Sequence, residues 1–299
     1  PGGYEFSHSV TNFDLSKSLG MITLGLGSEF RFENFVALAG EEASYYGGGV
    51  QSFPGIQPQN AVDVNRQNFG FYVDLGADVT EDLYVGMAAR SEEYSDFGNS
   101  FTWKGAGRFK AMDDRLSLRA SMSTGFRAPS LHQIYMSNIQ TLISGGTVSN
   151  QGTFNNHSPV VRSLGVEKLK EVNATNSTFG LTYKPMDGLY LSLDVYSVTV
   201  DDRIVYSSAI SSSDNTTAVG QILDDYNVTS IKFFTNAVSS TTKGMDFVAS
   251  YSGLEIGPGV LDFSLGYNRN TTELGDKITT PAPIASSGAI GHILTRINA

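Results

Sequence analysis

The sequence predicts an all-β protein, and more narrowly an antiparallel transmembrane β-barrel. Three observations predict it: apolar and polar residues alternate, the alternating runs are long, and the connections between them are unequal in length. Successive side chains of a strand point to opposite faces, so alternation gives each strand one apolar and one polar side. Runs of about 9–11 residues cross a bilayer at a tilt, whereas strands of soluble proteins average about 5–6 residues.

The clearest alternating run covers residues 69–79, where Phe, Val, Leu and Ala alternate with Gly, Tyr and Asp. About ten strands are expected from such runs. The others lie within residues 22–32, 83–89, 101–109, 116–122, 179–183, 189–195, 245–251 and 261–267, with a weaker one at 4–13.

Charged residues fall on the polar sides of these strands. A charge at the middle of a membrane is costly on the lipid side of a barrel, so the polar sides are expected to face away from lipid. The residues concerned are Asp74, Asp78, Lys104, Arg108, Lys110, Arg115, Arg119, Asp194 and Asp246.

Short and long connections follow one another along the chain. Short turns are predicted at 80–82, 113–114, 185–188 and about 253–259, and long loops at 36–65, 124–172, 201 to about 235, and from 272 onward. The link at 94–100 is short although it belongs to the long-loop end. Bacterial outer-membrane barrels have short turns at one end and long loops at the other.

Composition excludes several classes of function. The 299 residues include no cysteine, which excludes disulfides, thiolate metal sites and a cysteine nucleophile. A net charge of −10 argues against nucleic acid as a partner. No apolar run is long enough for a transmembrane helix, so a membrane could be crossed only by a closed barrel. Residues 1–4 do not look like an export signal, so we expect the natural N-terminus to lie outside this sequence.

Several motifs resemble the barrel of the TonB-dependent receptors. They are residues 94–98 (YSDFG), 101–104 (FTWK), 118–121 (LRAS) and, most specifically, 124–131 (TGFRAPSL), at the point where a strand enters a long loop. Looser similarity continues at 170–171, 176–181, 201–204 and 242–247. The resemblance is strong over residues 66–134 and diffuse over most of the chain.

The resemblance implies a bacterial outer-membrane importer with a barrel of about 22 strands and a plugged lumen. Such a receptor binds an iron chelate, cobalamin or a carbohydrate, and is driven by TonB acting on the plug domain. It implies no enzymatic activity and no cofactor. The plug is missing from this sequence, and residues 296–299 lack the usual terminal aromatic residue. Residues 1–299 are therefore expected to form a partial barrel without plug or final strands.

Candidate ligand contacts lie in the predicted loops. Arg127 stands where a strand ends, but a structural anchor is the more common role for such a residue. Histidines and acidic pairs in loops are usually solvated, although carboxylates such as those at 201–202 and 224–225 can bind calcium. No metal-ligand or catalytic spacing is present. The candidates are Tyr45, Tyr46, Arg127, His132, Tyr135, His157, Asp224 and Asp225.

Two other classes of protein fit the alternation. One is a complete small barrel, acting as a pore or an outer-membrane hydrolase, because about ten strands can close on themselves. The other is a soluble carbohydrate-binding β-sandwich. Pairing between the first and last strands would indicate the small barrel, and two packed sheets would indicate the sandwich.

Overall fold

The computed structural model describes residues 2–46, 54–144, 146–211, 216–275 and 280–286. Ten strands form one antiparallel sheet, here called the wall, in the order β1-β2-β3-β4-β5-β6-β9-β10-β12-β13. Their bounds are β1 Gly3–Leu19, β2 Ile22–Leu38, β3 Val62–Asp78, β4 Leu83–Tyr94, β5 Gly98–Ala111, β6 Leu116–Arg127, β9 Val172–Met186, β10 Leu189–Tyr206, β12 Phe234–Ile256 and β13 Gly259–Leu274.

The predicted ten strands are confirmed, and most are longer than predicted. β12 runs through Gly253, whose φ of +81° accompanies a register shift against β13, so the turn predicted at 253–259 contracts to residues 257–258. Asp201 and Asp202 lie inside β10, and not in a loop as predicted. Asp202 has a φ of +56° where the register between β10 and β12 shifts, so a bulge interrupts the strand without ending it.

The connections are as unequal as predicted. Residues 20–21, 79–82, 112–115, 187–188 and 257–258 link strands at one end of the wall, the turn end. Residues 39–61, 128–171 and 207–233 link them at the other, the loop end, where only 95–97 form a short link. The wall therefore has the asymmetry of an outer-membrane barrel.

One face of the wall, the apolar face, exposes large side chains; Phe69 is 55% exposed and Phe101 65%. On β9, β10 and β12 the last apolar row toward the loop end consists of Phe179, Val195 and Met245, because Phe179 pairs with Val195 and Val195 pairs with Met245. The next row on these strands is polar. The apolar band therefore ends at the same row on these three neighbouring strands, as expected where strands leave a bilayer.

The opposite, polar face carries the charged residues named in the sequence analysis, as predicted, except for Arg115, which lies in the turn 112–115. Arg119 on β6 reaches across β9 to Asp194 on β10, with Nη2 2.6 Å from Oδ1. The two side chains pass over Gly180 of β9, where an added Cβ would lie within 2.5 Å of both. Gly180 thus leaves space for an ion pair between strands that are not neighbours.

The long connections are not irregular, which corrects the prediction for 124–172 and 201–235. They contain α1 Leu131–Tyr135, α2 Pro159–Ser163, α3 Ala218–Asp225, and a three-stranded sheet of β7 Asn138–Ser144, β8 Thr147–Thr153 and β11 Val228–Lys232. β8 and β11 come from different loops and pair in parallel. Asp224 and Asp225 therefore lie in the predicted long connection, at the end of a helix within it.

An apolar core joins α2, α3, β11 and α4 Ala282–Ser286 above the loop end of the wall, and we call this assembly the cap. Its centre includes Val161, Leu164, Ile231 and Phe233, each fully buried. Residues 296–299, which lack the usual terminal aromatic residue, lie outside the described residues.

β1 and β13 stand at opposite ends of the sheet order, and they do not pair with each other within the described ranges. The wall is one sheet and not two packed sheets, so the described residues form neither a β-sandwich nor a closed ten-stranded barrel. None of the helices in the described part of the chain is long and apolar enough to span a membrane.

Candidate ligand-binding site

The segment from Arg127 to Tyr135 turns from β6 onto the polar face. The Pro129 carbonyl accepts a hydrogen bond from Arg66 Nη1 at 2.6 Å. Ser130 and Gln133 form a capping box that starts α1. Leu131 is 1% exposed and packs against Phe35 on β2. The 124–131 motif thus fixes α1 against the wall, as the anchor interpretation expects, although the contacts come from Pro129 to Leu131 and Arg127 itself is exposed.

Arg66, whose side chain is 5% exposed, connects this segment to two acidic residues. Its Nε donates to Glu33 Oε2 at 2.7 Å, and its Nη1 lies 3.3 Å from Asp96 Oδ2. The guanidinium also lies 5.3 Å from the ring centroid of Tyr94. A buried cation needs such partners because it has lost its hydration.

A cavity of about 300 Å³ opens beside Asp96, between α1 and the segment that leads into β9. Tyr135 and His157 line this cavity and contact each other edge to face, with their ring centroids 5.1 Å apart. Five further residues line it, namely Phe97, Ile134, Lys168, Leu169 and Lys170. Aromatic, cationic and acidic groups therefore converge on one space.

The electrostatics of the cavity favour neutral histidine. Burial lowers the pKa of His157, and the charges of Lys168 and Arg162 lower it further while Asp96 opposes them. Burial also raises the pKa of Tyr135. Burial raises the pKa of Asp96, against the opposing effect of Arg66. At neutral pH the ring of His157 is uncharged, and the positive charge in the cavity comes from the lysines.

The two lysines differ in their pairing. Lys170 Nζ lies 2.8 Å from Asp202 Oδ2, and Asn236 clamps the Lys170 backbone through hydrogen bonds of 3.0 Å to both its amide and its carbonyl. A second cavity of about 180 Å³ lies beside this clamp and is lined by both lysines. Lys168 forms no ion pair with any residue that the structure describes, so its ammonium is free to meet an anion.

The structure brings some of the predicted contacts together. Tyr135 and His157 share the cavity. His132 lies near Arg127; burial, and then the charge of Arg127, lowers its pKa. The remaining candidates lie elsewhere: Tyr45 and Tyr46 in the β2–β3 connection, where Tyr46 is 75% exposed, and Asp224 and Asp225, both exposed at the end of α3.

Sequence reasoning missed Arg66, Asp96, Phe97, Lys168 and Lys170. Asp96 and Phe97 belong to the YSDFG motif, so the resemblance could have pointed to them. The lysines had no such signal, because their meeting with α1 depends on the path of a 44-residue connection, 128–171. Within the described ranges, no three His, Asp or Glu side chains are grouped to hold a metal ion.

Comparisons with known proteins agree with this architecture. The family model described as "TonB dependent receptor-like, beta-barrel" matches residues 2–289. No curated protein sequence matches the chain.

Three solved structures share the fold. The siderophore receptor PirA from Pseudomonas aeruginosa is 13% identical, with a TM-score of 0.60 over 90% of this chain and 41% of its own. A mutant of the ferric enterobactin receptor PfeA, also from Pseudomonas aeruginosa, is 16% identical, with a TM-score of 0.57 over 91% and 36%. The iron transporter FrpB from Neisseria meningitidis is 13% identical, with a TM-score of 0.57 over 94% and 38%.

The chain thus spans well under half the length of these structures. At such low identity the likeness shows the fold alone, and the family assignment rests on the family model, which covers nearly the whole sequence. This chain belongs to the TonB-dependent receptor β-barrel family.

Proposed function

We propose that residues 1–299 form part of the barrel and cap of an outer-membrane receptor, which binds a scarce extracellular solute and imports it with TonB-coupled energy. The cavity carries the proposal, because it presents aromatic and cationic side chains at the loop end of a wall whose opposite face is apolar. The family match supports the same function.

The orientation follows from the asymmetry of the wall. The apolar face lies in the lipid of the bacterial outer membrane, the turn end faces the periplasm, and the loop end faces the outside. In such a receptor TonB acts through a plug domain, and the proton-motive force supplies the energy. The receptor performs no covalent chemistry on its ligand.

Cavity chemistry favours a flat anionic ligand. Phe97 and Tyr135 offer ring surfaces, and Lys168 offers an unpaired ammonium. Among siderophores, cobalamin and carbohydrates, a ferric siderophore with anionic aromatic groups suits this combination best. Two proteins that share the fold, a siderophore receptor and a ferric enterobactin receptor, support this choice of ligand class.

The other predicted residues would act outside the cavity. Arg127 and His132 lie at the entry to α1, while Tyr45, Tyr46, Asp224 and Asp225 lie on exposed parts of the connections. We assign them to first encounter with the ligand and not to its final position.

A panel of ligands tests this function on the receptor that contains this chain, purified from outer membrane in detergent. Equilibrium binding would compare a ferric catecholate, a ferric hydroxamate, cobalamin and a maltooligosaccharide. We expect the catecholate to bind, and Lys168→Gln with Tyr135→Ala to weaken it roughly 10-fold or more, since one lost charge-assisted contact is worth about 1.5–3 kcal/mol.

Tyr226→Ala is the matched control, because Tyr226 is an exposed cap tyrosine that does not line the cavity. Uptake by cells should stop when a protonophore collapses the proton-motive force. Absence of binding by all four ligands, or equal losses in the control and the cavity variants, would contradict the proposal.

Arg66 is a positioning residue for this cavity. Its hydrogen bond to the Pro129 carbonyl fixes the start of the segment that forms α1 and carries Tyr135. Its contact with Asp96 holds that carboxylate at the edge of the cavity. Arg66→Met leaves Glu33 and Asp96 without their buried partner, at a cost of about 3–5 kcal/mol. We expect weaker ligand binding whose pH dependence shifts upward, because Asp96 loses the charge that opposes its raised pKa. A lower melting temperature with unchanged affinity and pH profile would limit Arg66 to stability.

A further inference from the structure

A groove of about 430 Å³ crosses β9, β10 and β12 on the apolar face. Phe179 and Val195 form part of its lining, together with the small polar residues Ser177 and Ser197. Lys243 stands beside it on β12 and is exposed. Apolar, hydroxyl and cationic groups thus meet on the side of the wall that is turned away from the ligand cavity.

The groove straddles the edge of the apolar band. Phe179, Val195 and Met245 form the last apolar row across the three strands. Ser177, Ser197 and Lys243 form the next row toward the loop end, because Ser197 pairs with both of the others. An occupant of the groove therefore contacts apolar surface below and polar surface above.

A second cation stands on the neighbouring strand. Arg269 on β13 is exposed and pairs with Met245, while Lys243 pairs with Thr271. The two cations are therefore diagonal neighbours, a relation that places Cα atoms about 7–8 Å apart in antiparallel sheets. Neither forms an ion pair within the described residues. Glu273 is the other diagonal neighbour of Lys243 and lies farther from the band.

Positive charge at this level is local to β12 and β13. On the apolar side of β3, β4 and β5, the positions just beyond the band are Gln67, Glu93 and Asn99, which are neutral or acidic. The whole chain carries a net charge of −10, whereas this site has two adjacent cations without ion-pair partners.

We propose that this groove binds a membrane lipid with a phosphate-bearing headgroup in the outer leaflet. An acyl chain lies on Phe179 and Val195, and the phosphate meets Lys243 and Arg269 where the apolar band ends. Basic residues at a membrane surface attract anionic headgroups, and an apolar floor directly below them selects a headgroup attached to a chain. The inference rests on the part of the proposed function that places the apolar face in lipid, and it is independent of the solute.

Native mass spectrometry of the detergent-solubilised receptor tests this lipid site. The probes are phosphatidic acid, phosphatidylcholine and glycerol phosphate, which separate headgroup charge from acyl chain. We expect phosphatidic acid to bind in preference to the other two. Lys243→Gln with Arg269→Gln should weaken its binding roughly 10- to 30-fold, from about 1 kcal/mol per basic residue. Lys243→Arg should retain it.

Lys104→Gln is the matched control, since it removes the same charge from the polar face of β5. Phosphatidic acid binding that is unchanged in the double variant, or equally reduced in the control, would overturn the proposal, and so would equal binding of glycerol phosphate. If the double variant no longer binds the lipid but still binds the solute, the lipid site is supported and is separate from the solute site. Loss of solute binding in the cavity variants with the lipid retained would leave the lipid site intact.

Discussion

The wall and the cap place their large apolar side chains in opposite environments. In the wall, large side chains such as Phe13, Phe69 and Phe101 are 55–68% exposed, and they form a band on one face. In the cap, Leu164, Ile231 and Phe233 are fully buried around a core shared by two loops and α4. Only the cap is folded by exclusion of water from its own interior.

The difference follows from the solvent of each region. A side chain of the wall gains nothing by turning inward when lipid tails are as apolar as the protein, so the strands can keep strict alternation. The cap stands beyond the band, where exposed apolar area is costly in water, at about 25 cal/mol per Å². Its connections therefore form helices and a small sheet of their own.

Truncation of the cap core should give the largest effect. Phe233→Ala removes a fully buried ring, at a cost of about 3–5 kcal/mol. We expect faster hydrogen exchange in α3 and β11 with little change in the wall. Phe69→Ala, on the apolar face, is the control and should leave exchange in the cap unchanged. Equal effects from both substitutions would show that cap and wall are not separate in the way described.

A charge in the apolar band tests the wall. Leu193 pairs with Leu181 and Phe247 within the band, so Leu193→Arg should destabilise the receptor in lipid vesicles by about 2–4 kcal/mol. Guanidinium unfolding from vesicles measures this. Thr178→Arg, on the polar face of β9, should cost much less. If the control costs as much, the assignment of the two faces is wrong.

The smallest effect should be the pH response of the cavity. The pKa of His157 is lowered by burial and by nearby cations, so the unfolded chain binds its proton first as the pH falls. Stability from neutral His157 is complete above its ordinary pKa of about 6.5 and is lost as the pH falls below that value. Local exchange rates around α1 should rise in that range and should not do so in His157→Gln. An identical pH response in the variant would assign the effect to another group.

Much of the wall could be predicted, because alternation is a local signal. The run from Phe69 to Val79 shows both its faces without any knowledge of its neighbours. The cap could not be predicted in the same way. Its core draws Leu164 from one connection and Ile210 and Phe233 from another, and only the short spacings Val160–Leu164 and Val219–Leu223 indicate helices locally.

The candidate site was predictable in part for the same reason. Tyr135 and His157 were singled out as loop side chains able to meet a ligand, and they share the cavity. Lys168 and Asp96 complete the cavity only through contacts between residues that are distant in sequence. In the sequence alone, Arg66 cannot be told from any other polar residue on a strand.

The parallel pairing of β8 with β11 has a consequence for the order of assembly. The Thr229 hydroxyl donates to the Asn150 carbonyl, a contact between residues 79 positions apart in the chain. Closing so long a loop is slow until its ends are already near each other. β9, β10 and β12 supply that proximity when they come into register, since β9 and β10 lie between the two loop segments in sequence. We expect the cap to be the last part of this chain to acquire protection during biogenesis, after the strands have entered the bilayer.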